Sequence, residues 1–163
     1  MPEPSALALF VAAALAVIVV PGPSVLSVVA QSLGGGRKAG LVSTIGIAAG
    51  ALVHVAAATI GLSSLLASSA QAFSAVRYAG AAYLVYLGVR TLAGRDGGEA
   101  AEPRTGGSLV VRGALVEALN PKTALFFLAF LPQFVDPAAG SVALQLFLLG
   151  AIFVLIGLAS DGA

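Results

Sequence analysis

The sequence predicts an all-α membrane protein, a polytopic helical bundle, and three observations lead there. Of its 163 residues, 59% are hydrophobic and only 9% are charged, with a mean hydropathy of +1.03. A soluble domain carries about 25% charged residues because its surface faces water. A chain this short also leaves too much surface exposed to hide so much apolar side chain within itself. Finally, five apolar segments are each near or above the roughly 20 residues that span a hydrocarbon core about 30 Å thick. None shows the alternation of a membrane β-strand, which argues against a barrel.

The first segment runs from Ser5 to about Leu33 and is interrupted by Pro21, Gly22 and Pro23. Its leading part, Ser5 to Val20, imitates the core of a signal peptide. Glu3 precedes it and no Lys or Arg does, so it is expected to remain as the first membrane helix. The basic turn from Gly34 to Lys38 leads into the second segment, about Ala39 to Leu66. That turn lacks the Gly-Lys-Ser/Thr ending of a phosphate loop, so no ATP site is expected. The third segment is about Phe73 to Leu92, followed by a polar loop at 93–108 rich in Gly and charge. The fourth, about Leu109 to Phe134, is interrupted by Asn120 and Pro121, and the fifth runs from about Ser141 to Ser160. All five belong to a single transmembrane domain.

Basic residues orient the chain. Arg37 and Lys38 lie between helices one and two, and Arg90, Arg95, Arg104 and Arg112 lie in or beside the connection between helices three and four. The opposite side has only Arg77, and Lys122 is inside helix four. By the positive-inside rule both basic connections face the cytoplasm and the N-terminus lies outside.

The first and fourth segments share a design. Each is broken partway by proline, Pro21 stands as far before Gly34 as Pro121 does before Phe134, and the two segments run in opposite directions. Paired breaks in oppositely oriented helices suggest an inverted repeat, the plan of many secondary transporters. Proline removes a backbone donor and clashes with the preceding turn. In lipid the freed groups must be buried in protein or line a wet cavity. Pro23 and Pro121 suit the first position of a new half-helix, with Asn120 as cap. The N-terminal amides would then favour an anionic group such as a carboxylate. A single such break reads most simply as a packing kink. Two at matching places, one with an adjacent lysine, favour a substrate site.

Lys122 is the strongest single signal. A lysine near the bilayer centre costs at least about 2.5–3.5 kcal/mol on insertion scales, so it pairs with Glu117, snorkels, or receives a substrate carboxylate. Glu117, near the cytoplasmic start of helix four, reads either as a proton carrier or gate, or as an ordinary interfacial carboxylate. His54, midway along helix two, is a candidate proton relay, with a hydrogen-bonded packing role as the alternative. Asp136 and Asp161 sit at helix ends and read as structural. Gly46 and Gly50 form a G-x-x-x-G pair suited to close helix packing. Tyr83 and Tyr86 read as packing, as an interfacial belt, or as substrate contacts.

Without cysteine the chain has no disulfide, thiolate metal site or thiol redox chemistry. A net charge of +1 points to no nucleic-acid or polyanion partner. The solitary histidine and the lack of paired carboxylates within the membrane speak against an enzyme, and no cofactor or metal is expected.

Several motifs, in order along nearly the whole chain, resemble the LysE/RhtB family of amino-acid exporters. They are Pro21-Gly22-Pro23, the basic turn after Gly34-Gly35-Gly36, Gly80-Ala81-Ala82-Tyr83-Leu84 and Tyr86-Leu87-Gly88. Asn120-Pro121-Lys122 then leads into Phe126 through Phe134. The resemblance implies export of a small amino acid or derivative from the bacterial cytoplasm, driven by an ion or membrane gradient. It also implies six helices in a 3+3 inverted repeat, with both breaks near the translocation path. Only three residues follow helix five, so five helices are expected here of those six, and homo-oligomerisation would be one way to bury the face left open. The reading from another class is a truncated, non-transporting membrane protein or assembly partner.

Overall fold

The computed structural model describes residues 4–92 and 108–162, and every element among them is helical. The polar connection expected at 93–108 lies outside the described residues except for Ser108, and Arg95 and Arg104 lie outside with it. The side chains of Arg77, Tyr83 and Arg90 also lie outside them.

Helix α1 spans Pro4–Val19, and after a break α2 spans Pro23–Ser68. At about 1.5 Å per residue a straight helix of 46 residues would be more than twice the thickness of a bilayer core. It is not straight. Gly36, with φ 74° and ψ 179°, is the one non-helical residue inside it. A side chain there would strain the backbone, and glycine accepts it. The chain doubles back at this point, because a Cβ built on Gly40 would strike the side chain of Ser32. Those two residues would be about 12 Å apart along a straight helix. The basic turn expected over Gly34 to Lys38 is thus a reversal at Gly36 between two helical arms.

Helices α3 (Ala70–Leu92) and α4 (Leu109–Ala118) follow. Ser108 caps α4 by accepting from Val111 N at 3.3 Å. After the second break come α5 (Pro121–Leu125), a π turn at Phe126–Phe130, and 3₁₀ turns at Leu131–Phe134 and Pro137–Ala139. Helix α6 (Val142–Asp161) closes the described chain, with Ser141 as its cap.

Three helices frame the interior. Along the second arm of α2, Gly46 and Gly50 face the carbonyls of Val110 and Ala114, while Gly113 of α4 faces the carbonyl of Ser43. A Cβ at any of the three would overlap backbone. Small residues four apart lie on one helix face, so α4 runs parallel to this arm, and both begin at the same end. Helix α6 runs the other way, with Asp161 near Thr44 and Gly150 against Val55.

Aromatic rings fill the opposite part of the core. Phe126 and Phe153 have ring centroids 4.8 Å apart, Phe127 meets Phe153 edge-on at 5.2 Å, and Phe10 of α1 meets Phe134 edge-on at 5.4 Å. The wider π turn changes the register of its phenylalanines against α3 and α6. Near its end, buried Gln145 satisfies both backbone groups of Asp136, accepting from its N at 3.0 Å and donating to its O at 2.8 Å. Asp136 itself caps the short 3₁₀ turn through Ala138 N.

The exterior is apolar, with Leu33, Ile60, Val85, Leu119 and Leu155 all exposed. Water would not tolerate so continuous an apolar surface. Among the described residues α2 and α6 are long and apolar enough to cross a membrane, and α4 with Pro121–Phe134, bent by 46° at the break, counts as a third if the pair is one span.

Candidate functional site

At the first break Val20 N still reaches Ala16 O, at 3.4 Å, before Pro21 ends the ladder. Gly22 is extended (φ −139°, ψ −176°), and Pro23 opens α2 where a missing N–H costs nothing. At the second, Asn120 caps α5, its Oδ1 accepting from Lys122 N at 3.1 Å, and Pro121 takes the equivalent opening position.

The two breaks lie side by side. Asn120 Nδ2 donates to Ser24 Oγ at 3.0 Å and to Glu117 Oε2 at 3.1 Å. Ser24 Oγ in turn donates to the same carboxylate oxygen. Ser24, Glu117 and Asn120 are all buried, and a buried carboxylate is tolerable because polar donors satisfy it. Lys122 reaches across in the other direction, its Nζ donating to Val20 O at 2.6 Å. It passes over Gly22, where an added Cβ would stand 3.3 Å from Lys122 Cδ.

A small cavity of about 50 Å³ lies between these groups. Its polar walls are Ser24, Thr44, Glu117, Asn120, Lys122, Thr123 and Asp161, and its apolar walls include Ile18, Ile47 and Phe153. The volume is large enough for water and well short of the roughly 300–1,000 Å³ typical of small-molecule sites.

Of the residues singled out from the sequence, Gly22, Asn120, Lys122 and Glu117 line this cavity together. Pro21, Pro23 and Pro121 shape the breaks without being among its lining residues. His54 stands behind it, and its Nε2 bonds the backbone carbonyl of Glu117 at 2.8 Å. A carbonyl only accepts, so that nitrogen carries the proton. The same carbonyl takes Asn120 N at 2.9 Å. Ser24, Thr44 and Asp161 were not expected here. Thr44 Oγ1 approaches Asp161 O and Gly40 O, both at 3.2 Å. Among the described residues no cluster of His, Asp and Glu is arranged to hold a metal.

Two discontinuous helices meeting at a polar cavity is an arrangement of membrane carriers. A family described as LysE type translocator matches residues 15–159, most of the chain. The chain belongs to this family. Its membership and its apolar helices make it a multi-pass membrane protein of a transporter family. It is 31% identical over 153 residues to the leucine efflux proteins of Salmonella typhimurium and Salmonella typhi, covering 90% of this chain and 71% of each relative. An uncharacterized membrane protein, YrhP, of Bacillus subtilis is 31% identical over 159 residues, covering 90% of this chain and 75% of that protein. No solved structure matches the chain.

Proposed function

We propose that this translocator exports amino acids or close derivatives across the bacterial cytoplasmic membrane, as a secondary transporter driven by an ion or membrane gradient. Its substrate site lies at the paired breaks, formed by Pro21, Gly22, Pro23, Asn120, Pro121 and Lys122. Glu117, with His54 at its backbone, is the group through which coupling or gating acts.

The observation that carries this reading is the hydrogen bond from Asn120 to Ser24, which joins the breaks beside a cavity holding both an ammonium and a carboxylate. A zwitterion needs both signs of partner, and discontinuous helices supply backbone groups as well. The leucine efflux activity named for the Salmonella relatives points to the same substrate class.

The proposed topology has five crossings: α1 with the first arm of α2, the second arm, α3, the bent fourth span, and α6. Arg37, Lys38 and Arg112 stand at one end of the bundle, since the second arm and α4 are parallel. That end is cytoplasmic by the positive-inside rule, with the N-terminus outside. The two broken crossings, related by inversion, correspond to the two halves of a repeat.

The test is amino-acid efflux from bacteria expressing the protein, loaded with dipeptides and assayed across all amino acids. Lys122→Ala and Asn120→Ala are each expected to lower efflux by about tenfold or more while inserting normally, as expected when a hydrogen bond to a charged group is lost. Unaltered efflux in both variants would sink the proposed site, and no efflux from the unaltered protein would sink the export reading.

A further inference from the structure

We propose that in the empty site Lys122 occupies the place of the substrate's α-ammonium, and that entering substrate displaces it from the Val20 carbonyl onto the substrate's own carboxylate. This deepens the export reading above and rests on it.

Val20 O belongs to the C-terminal end of α1, where the last carbonyls have no partner within the helix and carry the negative end of its dipole. Pro21 and Pro23 bring no N–H to the break, so the backbone there is short of donors. The partner this carbonyl has is an ammonium, Lys122 Nζ, at a charge-assisted 2.6 Å. That group has the same charge and the same three donors as the ammonium of an amino acid. Among the described residues Lys122 makes no ion pair with Glu117 or Asp161, although all three line one cavity. Glu117 is already held by Ser24 and Asn120.

Lys122 is also the one basic side chain lining the cavity. A substrate carboxylate arriving there has this cation as its charged partner. The exchange keeps an ammonium on Val20 O throughout and adds an ammonium–carboxylate pair. The direct tie between the breaks becomes a longer one through the substrate, which widens a space too small at rest for an amino acid. Gly22 makes the movement sterically free, since the lysine stem slides over a position with no side chain. Recognition by exchange requires both charged groups on one molecule.

The experiment compares three ligands by their thermal stabilisation of the purified chain in detergent at neutral pH, which reads binding without turnover. They are leucine, leucinol (ammonium without carboxylate) and 4-methyl-2-oxopentanoate (carboxylate without ammonium). The unaltered protein is expected to bind leucine at least about tenfold more tightly than either analogue. In Lys122→Ala the carbonyl is open and the carboxylate has lost its partner. Leucinol should then bind more tightly than it does to the unaltered protein, and within about twofold of leucine. Gly22→Ala keeps the lysine but crowds its stem, and should also tighten leucinol. A purely structural role for Lys122 would only weaken binding. If leucinol binds no tighter in either variant, the exchange is overturned while the export reading stands. If neither leucine nor any other amino acid stabilises the unaltered protein, both fall together.

Discussion

Asn120 and Ser24, separated by 96 positions in sequence, are joined by a hydrogen bond of 3.0 Å between two helix breaks. Asn120 also caps its own half-helix and donates to Glu117. One amide therefore settles a local backbone geometry, a contact between the two broken segments and the hydrogen bonding of a buried carboxylate.

Asn120→Ala removes all three roles. The buried carboxylate loses a donor and α5 loses its cap, for a combined loss of about 2–3 kcal/mol. A lowered thermal midpoint in detergent is the expected reading. An unchanged midpoint would mean that water replaces the amide.

Gly50→Ala sets a methyl against the Ala114 carbonyl and within 2.8 Å of Glu117 Cβ. Overpacking of this kind costs about 1–3 kcal/mol, and here it also shifts the carboxylate. Gly61 has nothing within 4 Å of its Cβ position, so Gly61→Ala serves as the control. Thermal unfolding should separate the two variants, with Gly61→Ala at or slightly above the unaltered protein because alanine favours the helix.

Gly157 lines the cavity with open space where a Cβ would stand. Gly157→Leu puts bulk at this wall of the cavity from a Cβ position that meets nothing within 4 Å. Efflux should drop to the level of cells lacking the protein while the unfolding midpoint holds. Retained efflux would place the substrate path elsewhere.

Gln145→Leu leaves both backbone groups of Asp136 without their partner. The expected loss is about 1–3 kcal/mol, measured by thermal unfolding. If stability does not fall, another group takes over those bonds.

Much of this arrangement was legible in the sequence because proline and lysine in an apolar segment have few ways to be satisfied. Pro21, Pro23 and Pro121 announced the breaks, Asn120 its cap, and Lys122 the polar centre. The partners were not legible. Ser24 and Thr44 are small polar residues that pack anywhere in a membrane helix. Glu117 was legible as a gate or an interfacial carboxylate but not as a buried one, since its burial depends on Ser24 and on the bend after Ala118. Asp161 resembled an ordinary helix end until Thr44 and the cavity appeared beside it. The π turn at Phe126–Phe130 leaves no sequence signature, because phenylalanines suit a regular helix equally well. In the run Gly34 to Gly36 any of the three could have made the turn, and the structure assigns it to Gly36.

A reversal completed at one residue leaves no slack between the arms of α2. Arg37 and Lys38 follow the reversal directly, and two cations at its tip resist being dragged through hydrocarbon. In the five-crossing topology proposed above, the glycine bend would thus also anchor the closed end of the α2 hairpin at the membrane surface.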